Sequence, residues 1–182
     1  GLLLVDTGMG EDDWVDGHYQ PRRIPLPRAL GVPLEDVRYV ANCHLHFDHC
    51  GGNPLLAGRP VFTQRTELAA ARNVADYTLP ELIDAPGITY TELDGEAEIL
   101  PGVLIVPTPG HTSGHQSVVV RRRDGTVIVA GQSEANATAY GADVLAHRAG
   151  IEEIQVPSWI ERLERLDPAR VVFAHDNAVW KP

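Results

Sequence analysis

The sequence predicts a layered α/β domain in which sheets are covered by helices, and three observations predict it. Short runs rich in Val and Ile recur along the chain, each closed by Gly, Pro, Asn or Asp; helix-forming stretches separate some of them; and one pair is joined by an Asp-Gly hairpin turn. The first run, Leu2–Val5, is entered at Gly1 without an initiator Met, which reads as a strand met midway and a start that lies upstream, not as a charged leader with an apolar core. Val37–Ala41 and Pro60–Thr63 are the next strands, and Thr66 to Arg72 has the composition of a helix. Ile88–Leu93, Val103–Val106 and Gln116–Arg121 follow as strands. Asp124-Gly125 then turns the chain into Thr126–Ala130, which makes the triple Arg121–Arg123 a solvated hairpin tip. Ser158 with Glu161 has the spacing of a capping box for a helix ending before Asp167-Pro168. In that helix Ile160, Leu163 and Leu166 share one face, and Glu161 can pair with Arg165 one turn on. Arg170–Ala174 is the last strand.

No repeat or low-complexity tract interrupts the 182 residues, so the expectation is one domain over 1–182, N-terminally incomplete. The chain is 43% hydrophobic and 22% charged, enough apolar material for a core. Its 15 Lys and Arg against 25 Asp and Glu give a net charge of −10, a sign that repels phosphate backbones and anionic lipid. Nucleic acid and membrane surfaces are thereby not the expected partners. The longest apolar stretches, such as Val103–Val106 and Val127–Ala130, fall far short of the roughly 20 residues of a membrane span. Two cysteines, Cys43 and Cys50, are too few for a disulfide framework and point to a reduced, cytoplasmic setting.

The chemistry concentrates in histidines. Cys43-His44-Leu45-His46-Phe47-Asp48-His49-Cys50-Gly51-Gly52 directly follows the Val37–Ala41 strand. Side chains two apart in an extended segment share a face, so His44 and His46 can converge on one ion while a turn at Asp48-His49 presents two more ligands. Imidazole and carboxylate suit zinc and its neighbours. At this composition a chance His-x-His-x-Asp-His arises in about one such sequence in a thousand. His111, in Thr108-Pro109-Gly110-His111, and His175, in Phe173-Ala174-His175-Asp176, each stand where a strand emerges into a loop. His18 and His147 lie in polar surroundings without a motif and read as solvated.

This pattern resembles the metallo-β-lactamase superfamily and, within it, the quorum-quenching N-acyl-homoserine lactone lactonases. The resemblance rests on Leu3-Leu4-Val5-Asp6-Thr7-Gly8, His44 to Asn53, Gln64-Arg65-Thr66-Glu67, Thr108 to Ser117 and Val171 to Asp176. It implies an αββα sandwich, its N-terminal strands lacking in this chain, with a centre for one or two zinc ions. By position it makes His44, His46 and His111 the ligands of the first metal and Asp48, His49 and His175 those of the second. Asp6 would orient a ligand or form the turn before Thr7-Gly8, His115 would support the site or pack in the core, and Phe47 would line the substrate pocket or pack in the core. The implied reaction is opening of a lactone by a metal-bound hydroxide, with Asp48 giving a proton to the departing alkoxide. A thioester or other ester hydrolase is the alternative in the same class.

One departure bears on activity. The family's bridging Asp corresponds to Gln132, a neutral amide that cannot cancel charge between two cations. Glu134 shares a face with Gln132 if the segment stays extended and would then restore the charge. The family's tyrosine three residues after the bridging Asp is Ala135 here; Tyr140, farther along, is a candidate to reach the pocket in its place, though the sequence carries no signal that it does. A degenerate, non-catalytic metal-binding protein is accordingly a further alternative.

Overall fold

Parallel strands need crossovers of a dozen or more residues, and the first part of the chain supplies them. The computed structural model describes residues 1–182 and divides into two units, Gly1–Leu93 and Asp94–Pro182. In the first unit β1 (Leu2–Val5), β2 (Val37–Ala41), β3 (Pro60–Gln64) and β4 (Thr89–Leu93) form one sheet in sequence order, every pair parallel. The crossovers carry α1 (Asp13–Tyr19) and α2 (Leu26–Leu30), then α3 (Phe47–Cys50), then α4 (Arg65–Asn73) and α5 (Pro80–Ile83). Val37, Val40, Leu56 and Val61 make one buried cluster, and Leu45, Cys50, Leu68, Leu82 and Ile83 another. Because all four strands run the same way, their carboxyl ends open together, the place where open parallel sheets bind ligands.

The second unit has six strands: β5 (Ala97–Leu100), β6 (Val103–Pro107), β7 (Gln116–Arg122), β8 (Gly125–Val129), β9 (Pro168–Phe173) and β10 (Asp176–Trp180), in the order β10-β9-β8-β7-β6-β5. Neighbours joined by hairpins are antiparallel; β8 and β9 are parallel, and their crossover holds α6 (Ala137–Ala149) and α7 (Trp159–Glu164). Ile128 and Val171 from the sheet bury against Tyr140 and Val144 of α6 and Ile160 and Leu163 of α7. At the β7–β8 turn Arg121, Arg122 and Arg123 are exposed, and Asp124 pairs with Arg122 and Arg170, each at 2.9 Å. No helix is long and apolar enough to cross a membrane.

The expected strands and both expected helices form, with ends moved by one or two residues. Helices α1, α2, α3 and α5 are not among the elements the sequence predicts, and three further elements lack a clear signal in it. Strand β5 is a short edge, β10 is built from Asp176-Asn177-Ala178 before its apolar end, and α6 carries Gly141 in its interior. Pairing on β9 makes β10 a strand whatever its propensity, and Gly141 allows α6 against β10, since a Cβ there would stand 3.2 Å from the Trp180 ring. The capping box fails in its geometry. Ser158 is already helical, its side chain caps nothing, and the first turn is closed by the Ile160 N–H donating to Pro157 O at 3.0 Å. The Glu161–Arg165 pair does form, and Ile160 and Leu163 are fully buried.

Candidate metal centre

The loop after β2 is built by backbone contacts to the loop after β1. Thr7 N–H donates to His49 O, Gly51 N–H to Gly8 O and Gly10 N–H to Phe47 O, each at 2.8 Å. This close approach requires Gly51 and Gly52. A Cβ on Gly51 would lie 2.0 Å from Gly10 N, and one on Gly52 2.6 Å from Thr7 O. Beneath the loop, buried Asn42 donates to His49 O at 2.8 Å and accepts from Asn53, which in turn accepts from the Thr7 hydroxyl. Four ligand-type side chains are thus presented on a backbone held by these contacts.

Within this unit the structure brings His44, His46, Asp48 and His49 together. His44 Nε2 faces His46 Nδ1 at 3.1 Å, and the His44 and His49 rings have centroids 4.1 Å apart. Donor atoms of His44, Asp48 and His49 all lie within 4.8 Å of one another. Asp6 holds the second side of His49. It sits at φ 57°, a backbone conformation that Asp tolerates better than most residues, and its Oδ2 lies 2.9 Å from His49 Nδ1. Its carboxylate also accepts the Cys43 backbone N–H at 2.8 Å and the Cys43 thiol at 3.0 Å. With Nδ1 engaged, His49 presents Nε2 to Asp48, 3.4 Å away.

The electrostatics agree with a site made for a cation. Burial opposes charge on His49, but hydrogen bonds to Asp48 and Asp6 outweigh it and raise the imidazole far above its usual range. The two carboxylates meet different ring nitrogens, Asp6 at Nδ1 and Asp48 at Nε2, so a cation on the Nε2 side would leave the Asp6 contact in place. Burial, and after it the Asp6 charge, pushes the Cys43 thiol up to about 12, which keeps it neutral while no cation is bound. Imidazole nitrogens with a carboxylate are a set that fits zinc. If the cluster binds a divalent metal, Asp6→Asn is expected to weaken that binding by about 10- to 100-fold, because the ring loses its anionic support. Chelator competition measures it, and an unchanged affinity would leave Asp6 as a turn former alone.

Beside this cluster lies a cavity of about 700 Å³ lined by Trp14 and Tyr19 of α1, His46, Phe47 and residues 76–79. Phe47 meets Trp14 edge-on, with centroids 6.1 Å apart at 90°, and Tyr19 at 5.6 Å. Of these aromatics the sequence motif singles out only Phe47. Trp14 and Tyr19 carry a weaker signal: two aromatics on one seven-residue helix in a chain with 6% aromatic residues.

The second unit presents its own candidates at one end of its sheet. Thr108 N–H donates to His115 O at 2.8 Å and closes the loop that carries exposed His111. Ala174 N–H donates to Gly131 O at 2.8 Å, which joins the loop of exposed His175 to that of Gln132. His115 is fully buried. Its Nε2 accepts the Gln132 backbone N–H at 3.0 Å, so Nδ1 carries the proton and donates to Thr108 Oγ1 at 2.8 Å.

Two expectations about this unit are corrected. The chain turns after β8, with Ser133 N–H donating to Ala130 O at 3.1 Å, so Gln132 and Glu134 do not sit on an extended segment and do not share a face on that ground. Tyr140 has no exposure and packs against Phe173 and Trp180 in the core, because α6 turns it inward; it does not line a pocket.

Glu134 instead lies against Asp143. Burial, and after it that neighbouring carboxylate, pushes its carboxyl up to about 6. A folded value above the unfolded one means the stability it contributes is complete below about 4.5 and is lost as pH rises through about 6. Glu134→Gln is therefore expected to be the more stable form above pH 6, by less than about 1 kcal/mol once solvent screening is allowed for, and equal to the parent in acid. Urea unfolding at the two pH values checks it.

A sequence-family profile described as the metallo-beta-lactamase superfamily matches residues 1–175. An N-acyl homoserine lactonase of a Bacillus species is 33% identical over 97% of this chain and 77% of that protein. The N-acyl homoserine lactonase AiiA of Bacillus thuringiensis subsp. kurstaki is 32% identical over the same shares. A solved N-acyl homoserine lactone hydrolase with the product N-hexanoyl-L-homoserine at its catalytic metal centre superposes with a TM-score of 0.72 at 26% identity, over 96% of this chain and 76% of that one. A B. thuringiensis AiiA variant with N-decanoyl-L-homoserine at its active site gives the same values.

Proposed function

Because the chain belongs to the metallo-beta-lactamase superfamily and has its mixed α/β fold of two sheets, we propose that it is a zinc-dependent hydrolase that opens the ring of an N-acyl-homoserine lactone. His44, His46 and His111 would hold one zinc, and Asp48, His49 and His175 a second; the motif positions support this assignment, and the convergence of His44, Asp48 and His49 supports its part in the first unit. The observation that carries the reading is the double place of His46, which belongs both to the imidazole cluster and to the wall of the aromatic cavity. A head group that meets the cluster would have its acyl chain beside Trp14, Tyr19 and Phe47. The length-spanning likeness to N-acyl homoserine lactonases supports the same substrate class.

Each residue then has a task. A bound zinc supplies Lewis acidity for the ester carbonyl and acidifies a water. Asp6 keeps His49 in the tautomer that leaves Nε2 facing Asp48. Asp48, partly exposed beside that nitrogen, is placed to pass a proton to the departing alkoxide. The aromatic wall excludes water from the acyl chain and orients it. The cytoplasm is the proposed location, with which free Cys43 and Cys50 agree.

A second reading, a metal-binding protein without turnover, is favoured by Gln132 alone. The deciding experiment supplies the zinc-loaded protein with N-hexanoyl-homoserine lactone and with an acyl thioester at fixed pH and records acid release. Lactone opening that stops with a chelator and returns with zinc is expected. Turnover of the thioester alone, or of neither, overturns the lactonase reading.

A further inference from the structure

Glu67 is a carboxylate with no exposure to solvent, and none of the roles above uses it. It stands in the first turn of α4, next to the exit of β3. Its Oε1 accepts two hydrogen bonds: the backbone N–H of Leu45 at 2.8 Å and the hydroxyl of Tyr77 at 2.6 Å. Leu45 is the residue between His44 and His46. The Tyr77 ring lies against the His46 imidazole, with centroids 4.8 Å apart and planes at 59°, and forms part of the aromatic cavity wall. One oxygen therefore grips the backbone between two imidazoles and the ring that rests on one of them.

Packing does not explain this arrangement. A buried carboxylate is costly unless hydrogen bonds compensate it, and Leu or Met would fill the same space beside Leu68 without that cost. What the carboxylate adds is direction. The Leu45 side chain is buried in the cluster of Leu68, Leu82 and Ile83, while the rings of His44 and His46 on either side of it meet with centroids 4.5 Å apart; fixing the Leu45 N–H constrains the backbone from which both imidazoles leave the chain.

We propose that Glu67 and Tyr77 are positioning residues for the His44–His46 pair: Glu67 sets the backbone between them, and Tyr77, tethered to Glu67, sets the His46 ring. The consequence for zinc rests on the metal-dependent reading; the arrangement of the two rings does not.

The test uses the full chain with Glu67→Gln, Tyr77→Phe and the double variant, in two arms. In chelator, the ring-proton resonances of His46 report the ring current of residue 77, and exchange of the Leu45 amide reports its hydrogen bond. Glu67→Gln is expected to speed that exchange and shift the His46 resonances, and Tyr77→Phe, which keeps the ring and cuts the tether, is expected to shift the His46 resonances alone. In the second arm, chelator competition is expected to give zinc affinity about tenfold weaker for Glu67→Gln, with the double variant no weaker than that, since both act through one oxygen. Unshifted His46 resonances in both single variants overturn the proposal, as does unchanged zinc affinity in a Glu67→Gln protein that has merely lost stability. A parent chain that binds no zinc defeats the metal-dependent reading instead, and the resonance arm still decides the positioning roles.

Discussion

Asp48→Asn is expected to lower the hydrolytic rate by about 10²- to 10⁴-fold, the range spanned by loss of a placed proton carrier. The substitution keeps the shape of the side chain and removes its charge and its ability to carry a proton. Asp48 lies 3.4 Å from His49 Nε2, and against the opposing effect of burial its carboxylate does most to hold a proton on His49, ahead of Asp6. On the proposed assignment the amide removes two things at once, a proton carrier and a charged metal donor, and the measurement has to separate them. Rates taken at zinc concentrations that saturate both proteins isolate the first; chelator competition isolates the second. An Asp48→Asn variant with full zinc content and the parent's rate would remove Asp48 from the reaction and favour a different proton path.

On the proposed two-zinc assignment, Gln132→Asp is expected to tighten the second ion by several hundred-fold. A unit charge about 4 Å from a cation is worth about 4 kcal/mol at an effective dielectric near 20. The parent amide offers one neutral oxygen and no charge. The substitution should leave its surroundings intact, because the contact that anchors residue 132 is its backbone N–H on His115 Nε2. Metal analysis per chain reads the result: a ratio well below two for the parent and near two for the variant. A ratio near two in both would mean that charge from elsewhere, or none at all, suffices at this position. A rate that rises with the second metal would in the same experiment remove the reading of a protein without turnover.

Much of this molecule is legible in the sequence, and for a local reason. Strands such as Leu2–Val5 and Val37–Ala41 are set by runs of apolar residues whose period is a property of the chain itself. The His44–His49 motif is equally local, since side chains one to five residues apart are brought together by the one loop that contains them. Asp6 stands out by its place before Thr7-Gly8, but its grip on Cys43 and His49 comes only with the parallel pairing of β1 and β2.

The remainder depends on partners far along the chain. Strand β10 and helix α6 have weak patterns of their own and exist because β9 and Trp180 receive them. Tyr140 cannot be told from a pocket residue until α6 fixes which side it faces. Glu67 belongs to a motif visible in the sequence, yet nothing in that motif signals that its carboxylate meets Leu45, 22 positions earlier, and Tyr77. Composition and spacing by themselves determined the α/β class, the ligand chemistry and the acidic surface, because these follow from residue types and short-range geometry. Only the tertiary structure decided which polar atoms meet inside, because a buried carboxylate or imidazole takes its role from whichever donor the folded backbone sets within hydrogen-bond reach.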